Sequence, residues 1–101
     1  MLPEVVVFWD RDFEGPSWRE NLDVHYVGDD WNDQISSIIV ISGTWAFFEH
    51  KEFNRDTPGT HIELTPGYYS FVEFLGMAND SISSFRPISS EPQGGWPAPS
   101  V

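Results

Sequence analysis

Asn32-Asp33-Gln34-Ile35-Ser36-Ser37 and Asn79-Asp80-Ser81-Ile82-Ser83-Ser84 are two copies of one short stretch, 47 positions apart in a chain of 101 residues. Each copy is a small polar cluster followed by an apolar strand. Asn, Asp and Ser all carry oxygen, the donor type that hard cations such as Ca2+ prefer. They are also turn formers whose side chains bond the local backbone. A single copy reads as an ordinary turn before a strand. Two copies are an internal repeat, and a repeat constrains the whole architecture.

Working outward, Val5-Val6-Val7-Phe8-Trp9 is a β-branched and aromatic run and reads as a buried strand. It ends in the polar turn Asp10–Pro16, where Gly15 supplies a backbone conformation that other residues resist. Strands are expected over Ser17–Asn21, Leu22–Val27 and Ser36–Ile41, with Ser42-Gly43 as a turn. The pattern then restarts at Trp45–Glu49, with Phe48 and Phe53 each 40 positions after Phe8 and Phe13. The second tip, Asn54-Arg55-Asp56-Thr57-Pro58-Gly59, is four residues longer than the first. Further strands are expected over Thr60–Leu64, Tyr68–Phe74 and Ile82–Ile88, with a turn of helix near Phe74–Met77. Eight short strands with regular turn signals and no helical periodicity predict an all-β sandwich or barrel.

Composition bounds the function. The length fits one domain, and 40% apolar content with 8 Phe and 5 Trp suffices for a core. There is no cysteine, which excludes disulfides and thiolate metal sites. The 16 Asp and Glu against 5 Lys and Arg give a net charge of −11. Nucleic acid and anionic membranes need a cationic face, so neither is an expected partner. The acidity reads either as a solubility surface or as a sign of work with divalent cations. No apolar run is long enough to span a bilayer. Met1-Leu2-Pro3-Glu4 has no basic segment before an apolar one, so the chain shows no signal peptide and is expected to be soluble. Residues 89–101 have linker composition, with Trp96 as their one large apolar side chain.

The hairpin Phe8–Gly15, the paired hexads, and the segments Ser42-Gly43-Thr44-Trp45, Pro66-Gly67-Tyr68-Tyr69-Ser70 and Ser83-Ser84-Phe85-Arg86 together resemble a βγ-crystallin domain of the single-domain, calcium-binding microbial kind. The resemblance spans residues 4–88. Its one local departure is the second tip, where Asn54 and Arg55 follow Phe53 in place of a Gly-rich turn. It implies two Greek keys, about 4–42 and 43–88, packed as a two-sheet sandwich over residues 1–88. It also implies two Ca2+ per chain at one end, no catalytic activity and a structural, monomeric domain. Each loop would serve its own site and lend its fifth-position hydroxyl, Ser36 or Ser83, to the other. Asn32, Asp33 and Gln34, and Asn79, Asp80 and Ser81, would supply the loop oxygens. Trp9 and Glu49 would supply backbone carbonyls. The plainer alternative makes Asp33 and Asp80 caps on their own loops, and Ser36 and Ser83 plain strand residues; the pairing of the two clusters argues against it.

Other constellations are thinner. His25, His50 and His61 sit on different expected strands without ligand spacing and read as surface or structural residues. Glu49 with Glu52, or Asp10 with Asp12, would suit glycoside hydrolysis only with substrate-positioning residues around them, and none are evident. The alternative function is a carbohydrate- or protein-interaction sandwich with incidental metal binding, its sugar platform an exposed Trp31 or Trp96. The tail over 89–101 could equally lead to a neighbouring domain.

Overall fold

In the computed structural model, residues 2–77 and 81–89 are described. Seven strands form among them: β1 Glu4–Asp10, β2 Glu14–Glu20, β3 Ser37–Ser42, β4 Thr44–Phe48, β5 His61–Leu64, β6 Gly67–Tyr69 and β7 Ser84–Ser89. They pair into a four-stranded sheet, order β2-β1-β3-β6, and a three-stranded sheet, order β5-β4-β7. Every pairing is antiparallel. No helix among the described residues is long and apolar enough to cross a membrane.

Each half of the chain lends its third segment to the other half's sheet. β6 belongs to the second half of the chain but pairs with β3 of the first. In return Val24, from the first half, bridges Phe85 on β7, with backbone bonds of 2.8 and 3.1 Å. That exchange makes each half a Greek key and prevents either half from completing a sheet alone. It fits the expected all-β, two-Greek-key sandwich.

Side-chain alternation explains the core. Val5 and Val7 on β1 are fully buried, as a period of two requires. β4 is buried along its whole length because it lies between β5 and β7 and faces the other sheet. Trp45, Phe47 and Phe85 fill the centre, with ring centroids 5.5–6.0 Å apart. Ile35 and Ile82, the apolar residue of each hexad, are fully buried in the same cluster. Burial of each large side chain contributes about 1.5–3 kcal/mol.

Two expected strands are corrected. Over residues 22–27 only Val24 pairs. Leu22 is exposed, and the buried Val24 and Val27 are spaced by three residues, which no regular strand can accommodate. The expected strand Tyr68–Phe74 ends at Tyr69 and gives way to a 3-10 turn over Val72–Leu75. Val72 N–H donates to Ser36 O, which takes the chain out of the ladder, and Gly76 closes the turn at φ +91°. β2 begins earlier than expected, at Glu14, and includes Pro16, which an edge strand tolerates. Trp96 and the rest of 90–101 lie outside the described residues.

The hairpin tips are the second repeated element. After β1 the backbone turns through Asp12 and Phe13 at φ +61° and +64°. After β4 it turns through Glu52, Phe53 and Asn54 at φ +54°, +58° and +60°. Such left-handed residues without glycine persist only where the surroundings over-determine them. A buried serine does so in each half. Ser37 Oγ accepts from Phe13 N–H at 3.0 Å and donates to Asp10 O at 2.6 Å. Ser84 Oγ accepts from Phe53 N–H at 3.1 Å and donates to His50 O at 2.7 Å. Phe13 and Phe53 then fold edge-on to Phe8 and Phe48, at 5.8 and 5.5 Å. The longer second tip keeps the same clamp. Its extra residues form a loop pinned by Asn54, which bonds His50 N–H and Thr60 O. Gly15, at φ +79°, bears out its expected role: a Cβ there would lie 2.5 Å from Asp10 Oδ2.

Candidate metal centre

The first polar cluster is a loop closed by its own backbone. Asn32 N–H donates to Gly28 O at 2.8 Å and Gln34 N–H to Trp31 O at 3.1 Å. Asp33 adopts φ +60°, one of the few conformations Asp takes more readily than most residues. Trp31 anchors the loop from beneath, edge-on to Trp9 at 6.0 Å and to Trp18 at 5.5 Å. It packs against the core and is no exposed sugar platform.

The strand that follows each cluster begins beside the opposite end of its own sheet's first strand. Ser36 N–H donates to Phe8 O and Ser83 N–H to Phe48 O, both at 2.9 Å. These bonds set the fifth-position serines next to Trp9 and Glu49 in sequence-equivalent places. Two further bonds tie the halves together: Val27 N–H to Ser83 O, and Val72 N–H to Ser36 O, both 2.9 Å.

The decisive contact crosses between the halves. Ser83 Oγ donates to Asn32 Oδ1 at 2.6 Å, bridging 51 positions of sequence. Two hard oxygens from different halves thus sit close enough for one cation to touch both. Around them opens a cleft of about 320 Å³ lined by Asn32, Asp33, Glu49, His50, Ser81 and Ser83. Five of the ten expected ligands meet there. Trp9, Gln34 and Ser36 are not in its lining. Asn79 and Asp80 lie outside the described residues, so the second loop's own acid and amide are not placed.

The donor chemistry fits a hard cation of modest charge demand. Asn32 contributes an amide oxygen, Ser83 a hydroxyl and Asp33 a carboxylate. Among the described residues no three His, Cys, Asp or Glu side chains are grouped closely enough to hold a metal ion by themselves, so a cation here would rely on amide, hydroxyl and backbone oxygens as well. His50 is the residue that sequence reasoning placed elsewhere. It follows Glu49, and its carbonyl is held by Ser84, which brings its ring to the cleft wall. His25 and His61 go elsewhere. His25 Nδ1 lies 3.1 Å from Glu52 Oε1 with its ring over Phe53, and His61 stacks on Phe48. The carboxylates considered for hydrolysis are engaged separately: Glu49 accepts from Thr60 N–H, and Asp12 lies beside Arg11.

Tyr26 stands above the first loop, its hydroxyl donating to Asp29 Oδ1 at 2.9 Å. That bond, with the nearby negative charge of Asp29 and Asp33, raises the phenol above its ordinary value of 10.0.

A sandwich of paired Greek keys with cross-linked polar loops at one end defines the βγ-crystallin class. The sequence model of the Beta/Gamma crystallin family matches residues 4–88, and the chain belongs to that family. It is 34% identical over 90 residues to a beta/gamma-crystallin of Ciona intestinalis, covering 84% of this chain and 98% of that protein. The crystal structure of an archaeal βγ-crystallin is similar at 43% identity and a TM-score of 0.78, covering 87% of this chain and all of the other. A transition-metal-ion-binding βγ-crystallin of Methanosaeta thermophila is similar at 26% identity, covering 83% of this chain and 99% of the other, with a TM-score of 0.68. A domain of Abundant Perithecial Protein from Neurospora crassa, solved in a Ca2+-bound form, shares the fold at 22% identity, covering 88% and 91% of the two chains, with a TM-score of 0.66.

Proposed function

We propose that this chain is a non-catalytic, calcium-binding βγ-crystallin domain of the single-domain microbial kind, with two Ca2+ sites stabilised by exchange between its halves. The observation that carries the reading is the Ser83–Asn32 bond, a hydroxyl of one half on the amide oxygen of the other half's loop. In the first site Asn32, Asp33 and Gln34 act with the Ser83 hydroxyl and the Glu49 carbonyl. In the second, Asn79, Asp80 and Ser81, the last of which also borders the first cleft, act with the Ser36 hydroxyl and the Trp9 carbonyl. Ca2+ takes 6–8 oxygens at roughly 2.3–2.6 Å, so water completes each set. With one carboxylate per loop, affinity falls on the order of micromolar to sub-millimolar. The domain spans 1–88, with its Greek keys over 4–42 and 43–88. It acts as a monomer, and 89–101 serves as a tail or link to a neighbouring domain.

Calorimetric titration of the chelator-treated chain tests this. The expected result is two Ca2+ per chain, with Mg2+ much weaker because it resists irregular oxygen cages. Saturation at one ion removes the paired-site reading. Equal Mg2+ affinity, or a transition metal that outcompetes Ca2+, replaces it.

A further inference from the structure

Adjoining the cleft already described, and sharing Asn32, His50 and Ser83 with it, lies a second trough of about 430 Å³. Its walls add Tyr26 and Asp29 from the first half, and Lys51 and Thr57 from the second hairpin tip. The matching place in the other half is built differently. Phe71 precedes Val72 as Tyr26 precedes Val27, and Phe74 follows it by the same step as Asp29 follows Val27. Arg11 follows the serine-clamped Asp10 as Lys51 follows the serine-clamped His50. There the Arg11 guanidinium lies over Phe71 at 4.3 Å and over Phe74 at 5.8 Å. One half therefore occupies this place with a surface cation laid on two rings, Phe74 itself being 71% exposed. The other leaves it open and lines it with hydroxyl, carboxylate, amide, imidazole and ammonium groups. Thr57 lies in the loop by which the second tip exceeds the first, so the longer tip supplies a wall that the first half lacks.

The charge of the trough narrows what it takes. Asp29 is offset by Lys51, the single lysine of a chain carrying a net −11. An anion would meet the repulsion of the whole surface. A cation finds a better place in the adjoining cleft, which holds Asp33 and Glu49 and no ammonium. A neutral ligand rich in hydroxyls suits a wall that donates from Lys51, accepts at Asp29, and does both at Thr57 and Ser83. The Tyr26 ring, 39% exposed and with its hydroxyl held on Asp29, offers a fixed apolar face for a sugar ring. The volume lies within the range of small-molecule sites. We infer that the trough between Tyr26, Lys51 and Thr57 binds a neutral saccharide. The inference does not require bound metal, although Asn32, His50 and Ser83 border both sites.

The test is amide NMR of the full chain, in chelator and in Ca2+. The probes are the methyl glycosides of glucose, galactose, mannose and N-acetylglucosamine, with methyl glucuronide as a charged comparator. At least one neutral glycoside is expected to shift Tyr26, Lys51 and Thr57 in both conditions. Lys51→Ala and Thr57→Ala, both on an exposed loop, should each weaken it about fivefold to thirtyfold, the loss of one or two hydrogen bonds. Phe74→Ala, in the occupied counterpart, should leave it unchanged. The inference is overturned if no neutral glycoside moves these amides, if the glucuronide moves them and the neutral sugars do not, or if Phe74→Ala weakens binding equally. Calorimetry on the same sample keeps the two readings apart. Sugar bound without Ca2+ sites supports the trough and removes the calcium proposal, and Ca2+ bound without sugar does the reverse.

Discussion

The fifth and sixth positions of each hexad are both serine, yet the structure gives them opposite duties, and substitution should separate them. Ser84 is fully buried. Ser84→Ala removes the acceptor for Phe53 N–H and the donor to His50 O. A group left unsatisfied costs about 1–3 kcal/mol. Both partners are only partly buried, so water recovers some of the loss, and about 2–4 kcal/mol in total is expected. The left-handed run Glu52–Asn54 adds to this, because the clamp that enforces it is gone. For a domain of this size each kcal/mol moves the midpoint roughly 4–8 °C, so Ser84→Ala should melt about 10–25 °C below the parent in chelator. Ser83→Ala loses one bond, to an amide at the loop surface where water can replace it. That costs about 0.5–1.5 kcal/mol, so its midpoint in chelator should fall by less than about 10 °C. The order reverses with Ca2+: Ser83→Ala should lose much of the rise the parent shows, and Ser84→Ala should keep most of it. Melts followed by circular dichroism, with and without Ca2+, decide. If Ser83→Ala is the more damaging change in chelator, the division of labour between the two positions is wrong.

Phe85→Ala should cost about 3–5 kcal/mol, since its ring meets Trp18, Trp45 and Phe47, and a denaturant midpoint would show whether that cluster is the centre of the core. Gly15→Ala should destabilise by more than the ordinary Gly-to-Ala gain, because φ is +79° and Asp10 Oδ2 stands 2.5 Å from the new methyl; an unchanged or raised midpoint contradicts this. Tyr26 should ionise above 10.0 in the folded chain, and its contribution to stability is complete below the unfolded value and lost as pH rises through the folded one. Ultraviolet titration of Asp29→Asn should show the phenol moving down, since the bond and charge that favour the protonated form are reduced. At free Ca2+ about 100 times Kd each site should add roughly 2.7 kcal/mol, whereas NaCl at matched ionic strength should add far less.

Strands β1, β3, β4 and β5 were legible because β-branched and aromatic runs leave little choice, and their ends moved by only a residue or two. Residues 22–27 were not, because their partner is β7 of the other sheet and nothing local announces a crossover. The turn over Val72–Leu75 was expected a little late, since the bond from Val72 to Ser36 O that starts it is also long-range. At the site, repetition pointed to Ser36 and Ser83, and the structure adds that Ser83 reaches Asn32. Ser37 and Ser84 carried the same signal, recurrence at one place in the repeat, but their task is visible only once the tips are seen to fold back on them. His50 read as a surface or structural histidine, and Lys51 gave no signal in the sequence. They reach the first loop only because the second hairpin packs across the sandwich.

That packing determines what an ion at the first loop would sense. Asn32 and Asp33 come from the segment before β3, Ser83 from the residue before β7, and Glu49 from the residue after β4. β3 lies in one sheet, β4 and β7 in the other. Ser83 N–H is held on Phe48 O, and Ser83 O by Val27 N–H of the first half. The hydroxyl therefore faces Asn32 only when both Greek keys are folded and docked. An ion bound across these oxygens has little to hold in a half-folded chain, so its binding free energy falls on the docked state alone. The same docking brings Asp29 and Asp33 toward Glu49 on a surface already at −11, which works against the compact state. Metal and docking are thus opposed in charge and joined in geometry. Ca2+ should consequently raise the cooperativity of unfolding as well as its midpoint, and hydrogen exchange at Val27 and Ser83 should slow together on adding Ca2+.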